Sequence, residues 1–229
     1  MTGLPRLLRR LRASQSGAAA LEFALAAPLL LGAGLYGVET ANLAVTQMRI
    51  SQVAVLLADN GSRVGENSLL GEVKIFESDV NDVLQGAHLQ GGDNFGLYEH
   101  GRVIISSLQV LDDTEDQQYI HWQRCKGKKR VVSSYGVEDD GRSSGLPGMG
   151  PAGEEIYAIK DEAVIFVEVQ YDYQPIVSKT FANVETLSAI AAFNVRANRD
   201  LSQIYQRDPV EPDPVAECDT YDGMPDIEA

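Results

Sequence analysis

Glu22 stands alone among apolar residues. From Ala18 to Val38 the chain runs for 21 residues with Glu22 as its only ionisable side chain, and Gly17 lies five positions before it. That spacing has a chemistry. A backbone without Cβ enters a protease cleft in extended form, so Gly17–Ala18 is a peptide bond suited to cleavage. Hydrolysis there would leave an α-ammonium on Ala18, about one helical turn from Glu22. An acid in apolar surroundings needs a cationic partner of that kind. The other candidates are few. Cys125 and Cys218 are the only cysteines, and His88, His100 and His121 are scattered. Neither cysteine nor histidine spacing fits a zinc site. No Gly-x-Ser-x-Gly elbow, phosphate-binding glycine loop, dinucleotide fingerprint or His-Glu-x-x-His occurs. Asp139-Asp140-Gly141 and Asp219-Thr220-Tyr221-Asp222-Gly223 are acidic turns without the alternating ligands of a calcium loop. The expectation is a non-enzyme that needs no cofactor and no metal.

The element that must carry Glu22 is a helix. Four arginines, Arg6, Arg9, Arg10 and Arg12, precede it with no acid between them. About 20 apolar residues at about 1.5 Å each cross a hydrocarbon core of about 30 Å. A carboxylate within such a span calls for a functional reason. The net charge is −14, and residues 1–17 carry +4, so the remainder carries −18. Basic residues before a span place the N-terminus in the cytoplasm and the rest across the membrane. An acidic exported domain disfavours nucleic acid, while the basic leader suits anionic lipid. The helix should continue past the membrane. Leu43, Ile50, Val53, Ala54 and Leu57 form an apolar stripe at helical spacing, and Asn60-Gly61 supplies a stop. Pro28 should bend the helix locally, since it removes one backbone donor.

The stretch Gly17-Ala18-Ala19-Ala20-Leu21-Glu22-Phe23, followed by Pro28 and Gly37-Val38-Glu39, resembles the class III signal of the type IV pilin superfamily, and within it the TadE-like minor pseudopilins of the tight-adherence (Tad or Flp) pilus system. The resemblance covers Ser16 to about Asn60. It implies that a prepilin peptidase cuts between Gly17 and Ala18 and that Glu22, fifth in the mature chain, serves subunit assembly. It further implies a minor pseudopilin in pilus biogenesis, held in the bacterial inner membrane with its C-terminal domain in the periplasm, with a route into an extracellular, adhesive pilus. Its partners would be the peptidase, other pilin-like subunits of the Tad system and inner-membrane lipid. The alternative is an uncleaved, signal-anchored periplasmic binding or scaffolding protein.

The rest of the chain reads as one domain. Leu69, Leu70, Val73, Ile75, Phe76, Val80, Val83 and Leu84 form a second amphipathic segment ended by Gly86. Residues 102–110 and 163–173 have strand character, and 119–124 with 130–135 read as a hairpin around Lys126-Gly127-Lys128. Gly136 to Gly153 is a long loop. Residues 186–197 are ambiguous between strand and helix, and the resemblance favours a strand. From Asp208 to Glu228 there are eight acids, four prolines and no base, which reads as an extended tail. The exported location favours a Cys125–Cys218 disulfide. That bridge would lay the acidic tail beside Arg124, Lys126, Lys128, Lys129 and Arg130.

The expected architecture is therefore α+β and pilin-like. It has a leader (1–17), the transmembrane half of a long first helix (18–38), a periplasmic domain with a second helix and an antiparallel sheet of about four strands (39–207), and a tail (208–229).

Overall fold

The computed structural model describes residues 16–65, 72–181, 184–195 and 198–223. The arginines of the leader, Leu69, Leu70, Ala197 and the tail from 224 onward lie outside the described residues. The elements are helix α1 (Ser16–Arg63), helix α2 (Glu77–Gly91), a 3-10 turn (Asp93–Phe95), the single-turn helix α3 (Leu97–His100) and strands β1 (Gly101–Val110), β2 (Gln118–Lys126), β3 (Ala163–Asp172) and β4 (Thr186–Asn194). This is an α+β arrangement. The four strands make one sheet in the order β2-β1-β3-β4, antiparallel throughout. The chain forms two compact units, Met1–Ala44 with Pro175–Asn183, and Val45–Gln174 with Val184–Ala229.

The second unit is built around the two faces of the sheet. Cross-strand pairs Val103↔Val169, Ile105↔Val167 and Ser107↔Ile165 place those residues on one face, because side chains alternate along a strand. Helix α1 lies on that face through Ile50, Val53, Ala54, Leu57 and Ala58, all buried. The approach is close. A Cβ on Gly61 would sit 3.1 Å from Ile165 Cγ2, so glycine lets the helix pack on β3. This explains why α1 does not stop at Asn60-Gly61 but continues to Arg63. Its end is capped instead by the buried Arg199, which donates to the carbonyls of Gly61 and Val64, the charge favoured at a helix C-terminus. The opposite face carries a second cluster, Leu108, Val164 and Phe166 with Ile120, Met149 and Ala158. The long loop supplies Met149, so that face too is covered.

Two further expectations are corrected. The second helix begins at Glu77 and runs through Gly86 to Gly91. Val73 and Phe76 are instead extended, bridging to Arg199 and Tyr205. The Phe76 N–H donates to the Asp79 carboxylate at 2.9 Å, which starts the helix there. A Cβ on Gly86 would meet nothing within 4 Å, so this half-buried glycine is not required by packing and is tolerated inside the helix at a cost of about 1 kcal/mol. The hairpin around Lys126-Gly127-Lys128 does not form, because β2 pairs with β1 through residues 111–117. Gly127 adopts φ +123°, and a Cβ there would lie 2.3 Å from the Gly101 carbonyl. The Lys128 and Lys129 N–H groups then donate to the carbonyls of Tyr98 and Gly101. The chain thus turns across the start of β1 instead of returning beside β2.

Candidate functional site

Two parts of the molecule carry features that folding alone does not require. The first is the N-terminal half of α1. Gly17, Ala18 and Glu22 lie within the helix and are exposed. So are Leu21, Phe23, Leu25, Leu29, Leu30, Leu31, Leu35, Tyr36 and Val38. α1 is long and apolar enough to cross a membrane, and none of its most apolar 18-residue window is buried within the protein. A helix apolar all round does not stay in water, because its surface far exceeds the few hundred Å² of apolar patch usual on a soluble monomer. It is a candidate single membrane span.

Glu39 closes this half. The sequence marked it only as part of the Gly37-Val38-Glu39 stretch at the end of the apolar run. In the first unit it is buried, and its carboxylate accepts the N–H groups of Val177 at 2.7 Å and Ser178 at 3.4 Å. One turn earlier, Tyr36 meets Phe181 edge to face at 6.4 Å. A loop more than 130 residues downstream is thereby tied to the helix, and local spacing could not have announced it.

The second part is the tail. Cys125 and Cys218 form a disulfide with their Cα atoms 4.8 Å apart, across a separation of 93 residues. The basic cluster near Cys125 is mostly engaged elsewhere. Arg124 grips Glu77 through two bonds of 2.6 and 3.0 Å and reaches Glu138 at 3.4 Å. Lys128 pairs with Glu99, and Lys129 with Asp172. Burial alone would lower the Arg124 pKa, but the Glu77 carboxylate reverses this and holds it above the ordinary value. Among the described residues, Lys126, 2.9 Å from Asp222, and Arg130, over the Tyr221 ring at 5.1 Å, meet tail side chains.

The main holder is Arg102, which the sequence presented as one more strand residue. Its guanidinium donates to the carbonyls of Gly127 (2.9 Å), Thr220 (2.9 Å) and Cys218 (2.6 Å) and stacks over Tyr221 at 4.2 Å. Burial lowers its pKa, and Tyr221 and Asp222 partly offset that. Only an inward position in a β-branched run hinted that this arginine is buried.

Other titratable groups are structural. Glu168, buried in β3, accepts bonds from the Ser133 hydroxyl and the Ser134 N–H; burial raises its pKa, against those two donors. His121 donates through Nε2 to the Ser202 carbonyl and meets the Tyr119 hydroxyl through Nδ1, and burial lowers its pKa. Asp139 pairs with Arg142, and Asp140 accepts the Val137 N–H. Among the described residues no three His, Cys, Asp or Glu side chains gather as metal ligands. Family models, curated proteins and solved structures give no match to this chain.

Proposed function

We propose that this chain is a TadE-like minor pseudopilin that takes part in Tad/Flp pilus biogenesis. In this reading the leader is cytoplasmic, residues 18–38 cross the bacterial inner membrane, and the domain from 39 to 207 and the tail lie in the periplasm. A prepilin peptidase cuts between Gly17 and Ala18. The mature subunit then packs against other pilin-like subunits through α1, with Glu22 neutralised by an N-terminal ammonium, its own or a neighbour's. The protein assembles rather than catalyses. One conjunction carries the reading: the Gly17–Glu22 spacing stands on a helix whose apolar side chains from Leu21 to Val38 are exposed. Lipid can cover that surface before assembly and neighbouring helices after it. A carboxylate retained there is costly without a cationic partner.

Mass spectrometry of the membrane-extracted protein tests this. The expected mass lacks residues 1–17 and begins at Ala18. A chain retaining its leader would fit the uncleaved, signal-anchored periplasmic scaffold instead, and a cut after Val38 would exclude both.

A further inference from the structure

β2 is an edge strand, and its outward N–H groups do not face solvent. The Gln123 N–H donates to Glu138, the Cys125 N–H to the Ala216 carbonyl at 2.8 Å and the Gly127 N–H to the Asp222 carbonyl at 2.9 Å. Arg102 takes the Cys218 and Thr220 carbonyls lying between those two. Four alternate carbonyls of the tail, at 216, 218, 220 and 222, are thus held by one strand edge and one guanidinium. The tail adds no strand: it bends through a turn at Cys218 and Asp219, so N–H groups two residues apart, at 125 and 127, hold carbonyls six residues apart, and Arg102 fills the gap between them. Tyr221 on Arg102 and Arg130, and Asp222 on Lys126, add side-chain selectivity.

The tail is seated on the domain without being part of its core. From 216 to 222 only Ala216 is buried. A cleft of about 470 Å³ lies between the tail and the outer side of α2 at Gln85 and His88, bridged at one end where Asn81 donates to the Pro214 carbonyl at 2.7 Å. A second, of about 530 Å³, lies between it and Val131, Val132 and Val137. The link to the rest of the chain, residues 207–212, is exposed throughout and contains two prolines. The seat, by contrast, is built around an occupant. With the tail in place Arg102 is 1% exposed, and two of the three carbonyls that its guanidinium meets belong to the tail. Those bonds offset the cost of burying the charge.

We propose that the outer edge of β2, centred on Arg102, is a peptide-docking site whose ligand is the segment Ala216–Asp222, and that opening the Cys125–Cys218 bond makes this ligand exchangeable for the same segment of a second copy. The opening reagent is a dithiol reductant. One of its thiolates attacks a sulfur of the bridge to form a mixed disulfide. Its second thiol displaces the protein sulfur, leaving two protein thiols and an oxidised, cyclic dithiol, with two electrons and two protons transferred. While the bond is closed the tail is docked in its own domain. Once it is open, the tether alone favours self-docking, through an effective concentration of about millimolar.

The test uses two full-length variants in detergent, Cys125→Ser and Cys218→Ser, so that each copy keeps one thiol and neither can close its own bridge. They are mixed at high concentration under a dithiol, which is then exchanged for a small-molecule disulfide that accepts the two electrons and two protons of each new bridge, and the cross-links are mapped by peptide mass. The expected product joins Cys125 of the Cys218→Ser copy to Cys218 of the Cys125→Ser copy, in excess over both like-with-like dimers. Arg102→Met in the acceptor copy should lower that yield about tenfold, as loss of bonds to a charged group does. Should that variant misfold, Tyr221→Leu in the donor copy should still lower it about threefold. Links in random proportion that neither substitution changes, or no mixed link at all, would overturn the proposal.

Discussion

The two halves of α1 differ more in surroundings than in composition. Leu29 and Leu57 are leucines of one helix, yet Leu29 is 76% exposed and Leu57 is 0% exposed. Before Glu39 apolar residues occur on every side of the helix. After it Ile50, Val53, Ala54, Leu57 and Ala58 are buried on one side, while Val45, Met48 and Val55 remain exposed on the other. A stripe needs one apolar surface to lie on, and the sheet supplies it. A helix apolar all round needs a surrounding solvent that is itself apolar. Within one continuous element, burial therefore separates the part that stabilises the domain from the part whose apolar side chains stay exposed.

The largest effect expected from breaking this comparison is in the buried half. Leu57→Ala should destabilise the domain by about 2–5 kcal/mol through lost burial and a residual cavity. Leu29→Ala should leave domain stability unchanged within about 0.5 kcal/mol. Thermal unfolding of both full-length variants in one detergent, followed by near-ultraviolet circular dichroism, measures the difference. Equal effects would mean that the two halves do not divide their roles as described.

A substitution aimed at the exposed half should act on membrane retention instead. Leu29→Arg places a charge near the middle of the span at a cost of about 2.5–3.5 kcal/mol. The variant should appear in the soluble fraction after alkaline extraction of membranes, while the Leu57→Ala protein stays in the pellet.

Glu39 marks the boundary between the halves, and its removal should be milder. Glu39→Ala leaves the Val177 and Ser178 N–H groups without their carboxylate, a loss of about 1–3 kcal/mol felt locally. Hydrogen exchange at those two amides should accelerate, with little change at the amides of β1 and β3.

The smallest effect sharpens the contrast between an exposed and a buried acid. Glu168 is buried, and its folded pKa lies above the ordinary glutamate value of 4.5. The folded state therefore binds more protons than the unfolded state just above pH 4.5. The stability from protonated Glu168 is complete below that pH and declines as pH rises through the folded pKa. Glu168→Gln should flatten this slope of the pH–stability curve, measured by denaturant unfolding at several pH values. An unchanged slope would mean that the Ser133 and Ser134 donors balance the burial completely.

Much of the architecture follows from local pattern. The 21 uncharged-but-one residues after Gly17 specify a span-length helix on length and hydropathy alone, and the β-branched runs at 102–110 and 163–173 coincide with β1 and β3. These signals are local because helix and strand periodicities repeat within a few residues. The reading failed where a residue's role depends on a distant contact. Gly61 looked like a helix stop, yet it lies within α1, where a Cβ would press against Ile165 of β3. Residues 130–135 looked like a strand, yet Ser133 and Ser134 cross the sheet to cap Glu168.

The tail shows the division most clearly. Its charge, its prolines and the presence of two cysteines are properties of the sequence. That Arg102, 116 residues from Cys218, holds the tail's carbonyls is not. That contact exists only once β1 is central in the sheet, β2 forms its edge and Gly127 has turned the chain. Sequence by itself determined the first helix with its apolar span and the strands at 102–110 and 163–173, because those choices depend on neighbours within a turn or two. Tertiary structure alone decided which charged groups are buried and what they hold, because burial and hydrogen-bond partners are set by whichever chain segments the fold brings together.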